Sequence, residues 1–346
     1  MGETQMQKIR SGQSFLYRKE GLNCTVIDVS ITRKVSGAIL NRALLKALER
    51  YPYLVSKLVE KDGDFYIADN HVHSMTVHRN RKLLPLGSMA NTYHLMEVAY
   101  YGEHIYVSFH HGLCDGGGIK PFGERYEVGT YEDPQVIKDG FALPEYSDQM
   151  EDEDYRTEIE IDAGDYMTFA KKVNATPAIL LSCLFSKAIY RCNPQLDKPI
   201  VCSMATDMRR ELGILHTHKN CVRSMYLPFT AKDEIDDVLF DSMTVHSYVV
   251  SYLGKFELGE CDSLVDGIHF YSGGIKGITI NMAATGKKFC ITFIQNIETE
   301  KYVSMFLDLL RENGIRYQAG ERIRFSTTKD RTQKTAGHQA ERFQIR

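Results

Sequence analysis

The sequence predicts an α/β protein of the α+β type, with mixed sheets and a few helices arranged in two lobes. Three observations carry that expectation. Strand-like and helix-like patterns interleave, with two hairpins in the first half, and the two halves share a strand–helix–strand logic without an obvious repeat. The chain has 346 residues, a length that suggests about two domains. A stretch dominated by charged and turn-forming residues, 121–156, reads as a linker between an N-terminal lobe, 1–150, and a C-terminal lobe, 151–346.

In the N-terminal lobe, Gln13–Tyr17 and Cys24–Val29 are β-rich. The spacing of Ile39, Leu40, Ala43, Leu44, Ala47 and Leu48 predicts a helix over 37–50, with Ser36 placed to cap it and Tyr51-Pro52 to end it. Leu54–Glu60 and Phe65–Asp69 flank Lys61-Asp62-Gly63-Asp64, whose turn chemistry predicts a hairpin. A second hairpin runs from Tyr93–Val98 through Tyr101-Gly102 into 104–109. There Ile105, Val107 and Phe109 alternate with Tyr106 and Ser108, as in a half-buried strand.

The C-terminal lobe restarts with the alternating strand Thr157–Ile161 and a helix over 163–173. Thr176-Pro177, a cap and first-turn pair, opens a helix whose wide apolar face includes Ile179, Leu180, Cys183, Leu184 and Ala188. Lys198–Met204 reads as a core strand, 220–227 as another, and 234–253 as a helix. Strands at Ile278–Met282 and Phe289–Ile294 are joined by a turn at 285–287. The spacing then predicts an amphipathic helix over Thr299–Arg311, with Tyr302, Val303, Phe306 and Leu309 or Leu310 inward. From Thr327 the chain is polar and is predicted to be mobile.

Composition removes several classes of function. A hydrophobic share of 43% and a charged share of 25% are ordinary for a soluble globular chain. A net charge of -3 gives no reason to expect nucleic acid or an anionic membrane as partner. The longest apolar run, 177–185, is too short and interrupted to span a bilayer, and residues 1–10 carry no secretory segment. The eight cysteines are scattered, with no CxxC pair. The expectation is a cytoplasmic protein with no disulfide framework, no membrane span and no nucleic-acid partner.

Chemistry concentrates in Ser108-Phe109-His110-His111-Gly112-Leu113-Cys114-Asp115-Gly116-Gly117-Gly118. A histidine at a rigid strand end is well placed to move protons near neutral pH. Asp115 can pair with a basic group elsewhere or orient the ring. The glycines force a sharp turn with open backbone amides, so those near Gly116 are candidates, by position, to stabilise an oxyanion. On a regular strand His110 faces away from His111, which reads as a structural role. That divergence also speaks against a metal at His110, His111 and Asp115, and no HExxH or cysteine cluster is present, so no metal is expected. No GxxxxGK[ST] follows the glycines, which argues against a nucleotide site, and Cys114 has no assured cation beside it to make it a nucleophile. A buried, satisfied histidine pair is the purely structural alternative.

His110-His111-x-x-x-Asp115-Gly116 resembles the HHxxxDG signature of the acyltransferase superfamily that includes condensation domains, alcohol O-acetyltransferases and chloramphenicol-acetyltransferase-like enzymes. "NRALLKALERYPYL" resembles that family's opening helix, and "ATPAILLSCLFSKAIYR" followed by "KPIVCSMATDMRREL" resembles the start of its C-terminal half. The resemblance implies two chloramphenicol-acetyltransferase-like lobes with the active site in the cleft between them. It implies His111 as general base, with Asp115 beside it in a mainly structural role. The implied partner of Asp115 is an arginine. Arg209 in Asp207-Met208-Arg209 fits, with Arg210 or an N-terminal arginine as alternatives.

The implied reaction moves an acyl group from a thioester, acyl-CoA or a phosphopantetheinyl carrier, to an alcohol or amine. No cofactor is bound permanently, and the partners are a small-molecule donor and acceptor, or an acyl or peptidyl carrier protein in place of the free donor. No adenylation or carrier segment is attached, which favours a free-standing enzyme like an alcohol acetyltransferase. Two departures stand out. The glycines do not lead into the family's long apolar helix, and the chain is short for the family. A catalytically degenerate binding module and a thioester hydrolase are therefore the alternatives.

Overall fold

A computed structural model describes residues 6–8, 24–70, 74–80, 82–114, 140–145, 153–209, 221–229, 247–272 and 277–326. Gln13–Tyr17, Asp115, Gly116, Gly117, Arg210 and the tail from Thr327 lie outside the described residues. The N-terminal half contributes β1 (Met6–Lys8), β2 (Cys24–Ile31), α1 (Gly37–Arg50), β3 (Ser56–Lys61), β4 (Asp64–Asp69), β5 (His78–Arg79), β6 (Met96–Tyr101) and β7 (His104–His110). β3 and β4 form the expected hairpin. Its two turn residues, Asp62 and Gly63, sit at φ 55° and 79°, the left-handed pair that matches strand twist in a two-residue loop. β1 pairs with β4 to complete a small three-stranded sheet. Helix α1 starts where expected, but the Ser36 side chain makes no capping bond. Its first turn is set by contact instead: a Cβ on Gly37 would lie 2.2 Å from the Tyr100 hydroxyl.

The C-terminal half supplies β8 (Glu153–Asp162), α2 (Ala163–Lys172), α3 (Pro177–Cys192), β9 (Ile200–Asp207), β10 (Val222–Phe229), β11 (Tyr248–Lys255), β12 (Val265–Ser272), β13 (Ile278–Ala284), β14 (Lys288–Gln295), α4 (Lys301–Glu312), β15 (Tyr317–Ala319) and β16 (Ile323–Ser326). The large sheet has the order β10-β9-β11-β13-β14-β8-β15, with β16 also on β8. β11 runs parallel to β9 and β13; the other described pairs of this sheet are antiparallel. Helices α2, α3 and α4 bury their apolar faces in the core of this half. Tyr302, Val303, Phe306, Leu309 and Leu310 of α4 are all buried there, as its periodicity predicts.

Strand β12 leaves this half and adds to the N-terminal sheet, giving the order β12-β2-β7-β6-β5. One face of that sheet packs under α1 through Ile27, Val98, Phe109, Ile268 and Phe270. The other face meets β8 and β14 along a polar seam. Tyr271 donates to Glu158 at 2.8 Å, and the Arg156 guanidinium lies 4.7 Å from the Tyr271 ring centre.

Three expectations need correction. The helix expected over 234–253 is a strand from Tyr248 onward; residues 234–246 lie outside the described residues. Tyr248, Val249, Val250 and Tyr252 are aromatic or β-branched, and they fill the parallel slot between β9 and β13. β8 begins at Glu153, inside the stretch read as linker, because its first residues pair with β16. Within that stretch 140–145 also packs onto the large sheet: Leu143 is buried and Phe141 N–H donates to Pro199 O at 2.9 Å. β7 is buried on both faces instead of one, since α1 covers one face and the large sheet the other. Among the described residues no single helix is long and apolar enough to cross a membrane.

Candidate active site

β7 delivers the two histidines to different environments. His110 is its last residue, opposite Cys24 of β2. Its N–H donates to Leu95 O and its carbonyl accepts from Leu113 N–H, both at 2.8 Å. Its ring is buried, and Nδ1 accepts the Gly112 N–H at 3.0 Å. Burial first, and the neighbouring His111 second, push its pKa down to about 4. Nδ1 is thus an acceptor, the proton sits on Nε2, and the ring is neutral at physiological pH. His110 therefore buckles the turn His111-Gly112-Leu113 from the inside.

His111, the next residue, is half-buried in that turn, while Leu113 and Cys114 plunge to 3% and 0% exposure in the core beneath α1. Two apolar anchors on one side and a buried hydrogen-bonded ring on the other fix the backbone that carries the His111 imidazole. Complete burial of Cys114 fits the reading that it is not a nucleophile.

Arg209, from the second half of the chain, lies just beyond the end of β9 and is only 5% exposed. Its N–H and guanidinium lie 3.0 and 2.9 Å from Asp207 Oδ1. Tyr53, in the turn Pro52–Leu54 that ends α1, feels both Cys114 and Arg209. Burial is the main cause of its pKa being raised to about 12, and the thiol adds to it while the guanidinium opposes it. Arg209 and Cys114, the residue directly before Asp115, therefore act electrostatically on the same tyrosine. His110 and His111 thus share the end of β7 and the turn after it, and Arg209 lies just beyond β9; Asp115 and Gly116 lie outside the described residues.

Supporting residues escaped the sequence reading. Tyr53 lies where a helix ends, with nothing local to mark it, and Tyr51 packs edge-on against it at 6.3 Å. Glu97 on β6, directly opposite Ser108, is 2% exposed; burial raises its carboxyl to about 7. Leu84 N–H donates to its Oε2 at 2.7 Å, and its Oε1 has no partner among the described residues. A charged residue inside an apolar strand was the available signal, and it is visible in Met96-Glu97-Val98.

The two-lobed arrangement of mixed sheets and few helices is the fold of condensation domains and of the acyltransferase TRI101, and this chain has that fold. Polyketide synthase associated protein 5 from Mycobacterium tuberculosis superposes with a TM-score of 0.62 at 14% identity, covering 88% of this chain and 97% of that one. The epimerization domain from the third module of tyrocidine synthetase B gives 0.60 at 11% identity, covering 90% and 95%. F. graminearum TRI101, complexed with ethyl coenzyme A, gives 0.55 at 11% identity, covering 90% and 100%. No family model and no curated protein matches the sequence.

Proposed function

We propose that the protein is an acyltransferase that moves an acyl group from a thioester to an alcohol or amine, with His111 as general base. The observation that carries this reading is the setting of His111: half-buried on the turn that follows β7, which His110, Leu113 and Cys114 hold in place. The shared fold supports it. The acceptor O–H or N–H gives its proton to the His111 ring as its oxygen or nitrogen bonds to the thioester carbonyl carbon. The carbonyl electron pair becomes an oxyanion, for which backbone amides near Gly116 are the donors. Collapse re-forms the carbonyl and breaks the C–S bond, and the thiolate leaves with the proton from His111. No covalent enzyme intermediate forms. A base held within ~3 Å of the transferred proton contributes about 10²–10⁴-fold.

Asp115 pairs with Arg209 in this reading, which joins a lobe of residues 1–150 to one of 151–346 and keeps the motif loop in place. The donor is acyl-CoA or a carrier-bound phosphopantetheinyl thioester, the protein acts in the cytoplasm, and no cofactor is held in the active site between turnovers. Mass spectrometry of products from mixed acyl-CoA donors and an alcohol and amine panel tests the reading. Acylated acceptor is the expected product. Free acid alone identifies a thioester hydrolase, and no product from free or carrier-bound donors identifies a binding module; either overturns it.

A further inference from the structure

Midway along β2, where Asp28 pairs with His269, three strands present metal-ligating atoms to one point. Glu160 of β8, His269 of β12 and Cys290 of β14 offer one ligand atom each, all within 4.8 Å of one another. Gly267 opens the space: a Cβ there would lie 3.0 Å from Glu160 Oε1 and 3.4 Å from Cys290 Sγ. His269 Nδ1 lies 3.2 Å from Thr292 Oγ1, which leaves Nε2 toward Glu160 Oε1 at 3.8 Å. The other Glu160 oxygen, Oε2, is held by Lys288 at 2.7 Å, and Lys288 also meets Asp266 at 3.1 Å. Ile268 N–H donates to Cys290 Sγ at 3.4 Å and sets its direction.

We propose that Glu160, His269 and Cys290 bind a zinc ion, with water in the fourth position, and that the ion pins the crossover strand β12 to β8 and β14. The donor set selects the metal. Imidazole and thiolate suit a borderline-soft cation, whereas calcium and magnesium take oxygen ligands. Zinc bonds of about 2.0–2.3 Å in a tetrahedron place ligand atoms about 3.3–3.8 Å apart. Small side-chain rotations close the present arrangement to that size. Charge also balances: the carboxylate and the thiolate neutralise the ion, and Asp266 remains with Lys288. Thr292 is the outer partner that orients a metal-bound imidazole through its second nitrogen. At 1% exposure Cys290 is too buried to act as a nucleophile, while Glu160 and His269 side chains at 24% and 11% leave a path for the ion and its water. The ligands come from three strands far apart in sequence, so no spacing motif announces them.

The test uses the full chain, stripped with a chelator and then dialysed against zinc or cobalt(II). The expected result is one equivalent of metal per chain and a thiolate-to-cobalt charge-transfer absorption that Cys290→Ser abolishes. Thr292→Val keeps the side-chain shape and all three ligands, so it remains informative where Cys290→Ser fails to fold; it should weaken zinc binding about 10- to 100-fold. Substoichiometric metal, a charge-transfer band that survives Cys290→Ser, or unchanged affinity in Thr292→Val would each overturn the proposal.

Discussion

His110 and Glu97 are both buried and titratable, and they push stability in opposite directions with pH. The folded pKa of His110 is depressed from 6.5 to about 4. Its share of stability is present above 6.5 and is lost as the pH falls through about 4. Glu97 is raised from 4.5 to about 7, so its share is full below 4.5 and is lost as the pH rises through about 7. Glu97→Gln removes the second effect. Its stability relative to the unaltered protein should climb between pH 4.5 and 7, by on the order of 2 kcal/mol. Urea unfolding at a series of pH values reads this directly, and parallel curves would refute the buried, protonated carboxyl. The motif histidines were legible because they are contiguous on an alternating strand. Tyr53 was not, because its place depends on contacts across the chain that no local pattern encodes.

At the scale of elements, the turn after β7 is held by what it buries. Leu113→Ala should cost about 2–5 kcal/mol, and turnover should fall even where the variant is fully folded, because the backbone under His111 loses its anchor. Urea titration and steady-state kinetics on the folded variant separate the two effects; full turnover would show that the anchor does not position the base. β11 offers a second check. The Tyr248 hydroxyl donates to Ser182 O and meets Ser186 Oγ, both at 2.8 Å. Tyr248→Phe strands those buried partners, at a cost of about 1–3 kcal/mol, measurable as a lower urea midpoint. β11 also shows where pattern reading failed. Its apolar run fits a buried strand or a helix equally, and only its place between β9 and β13 decides. Helices α1, α3 and α4 were legible because each keeps an apolar face at helical spacing.

Across the whole molecule, β12 belongs by sequence to the C-terminal half and by hydrogen bonding to the N-terminal sheet. Nothing in Val265–Ser272 announces this: Asp266, Gly267 and His269 interrupt its apolar pattern, and their reason lies in the polar seam with β8 and β14. A strand shared in this way should make the two halves unfold together, with far-UV circular dichroism and tyrosine fluorescence following one denaturation curve. Two separated transitions would contradict the shared strand.

The central claim, that His111 is the base of an acyl transfer, is tested most directly by the rate of thiol release from acyl-CoA, with and without acceptor, for the unaltered protein and His111→Ala. The account predicts acceptor-dependent release that falls by about 10²–10⁴-fold in the variant, with its unfolding midpoint nearly unchanged. Equal rates in the two folded proteins would contradict it.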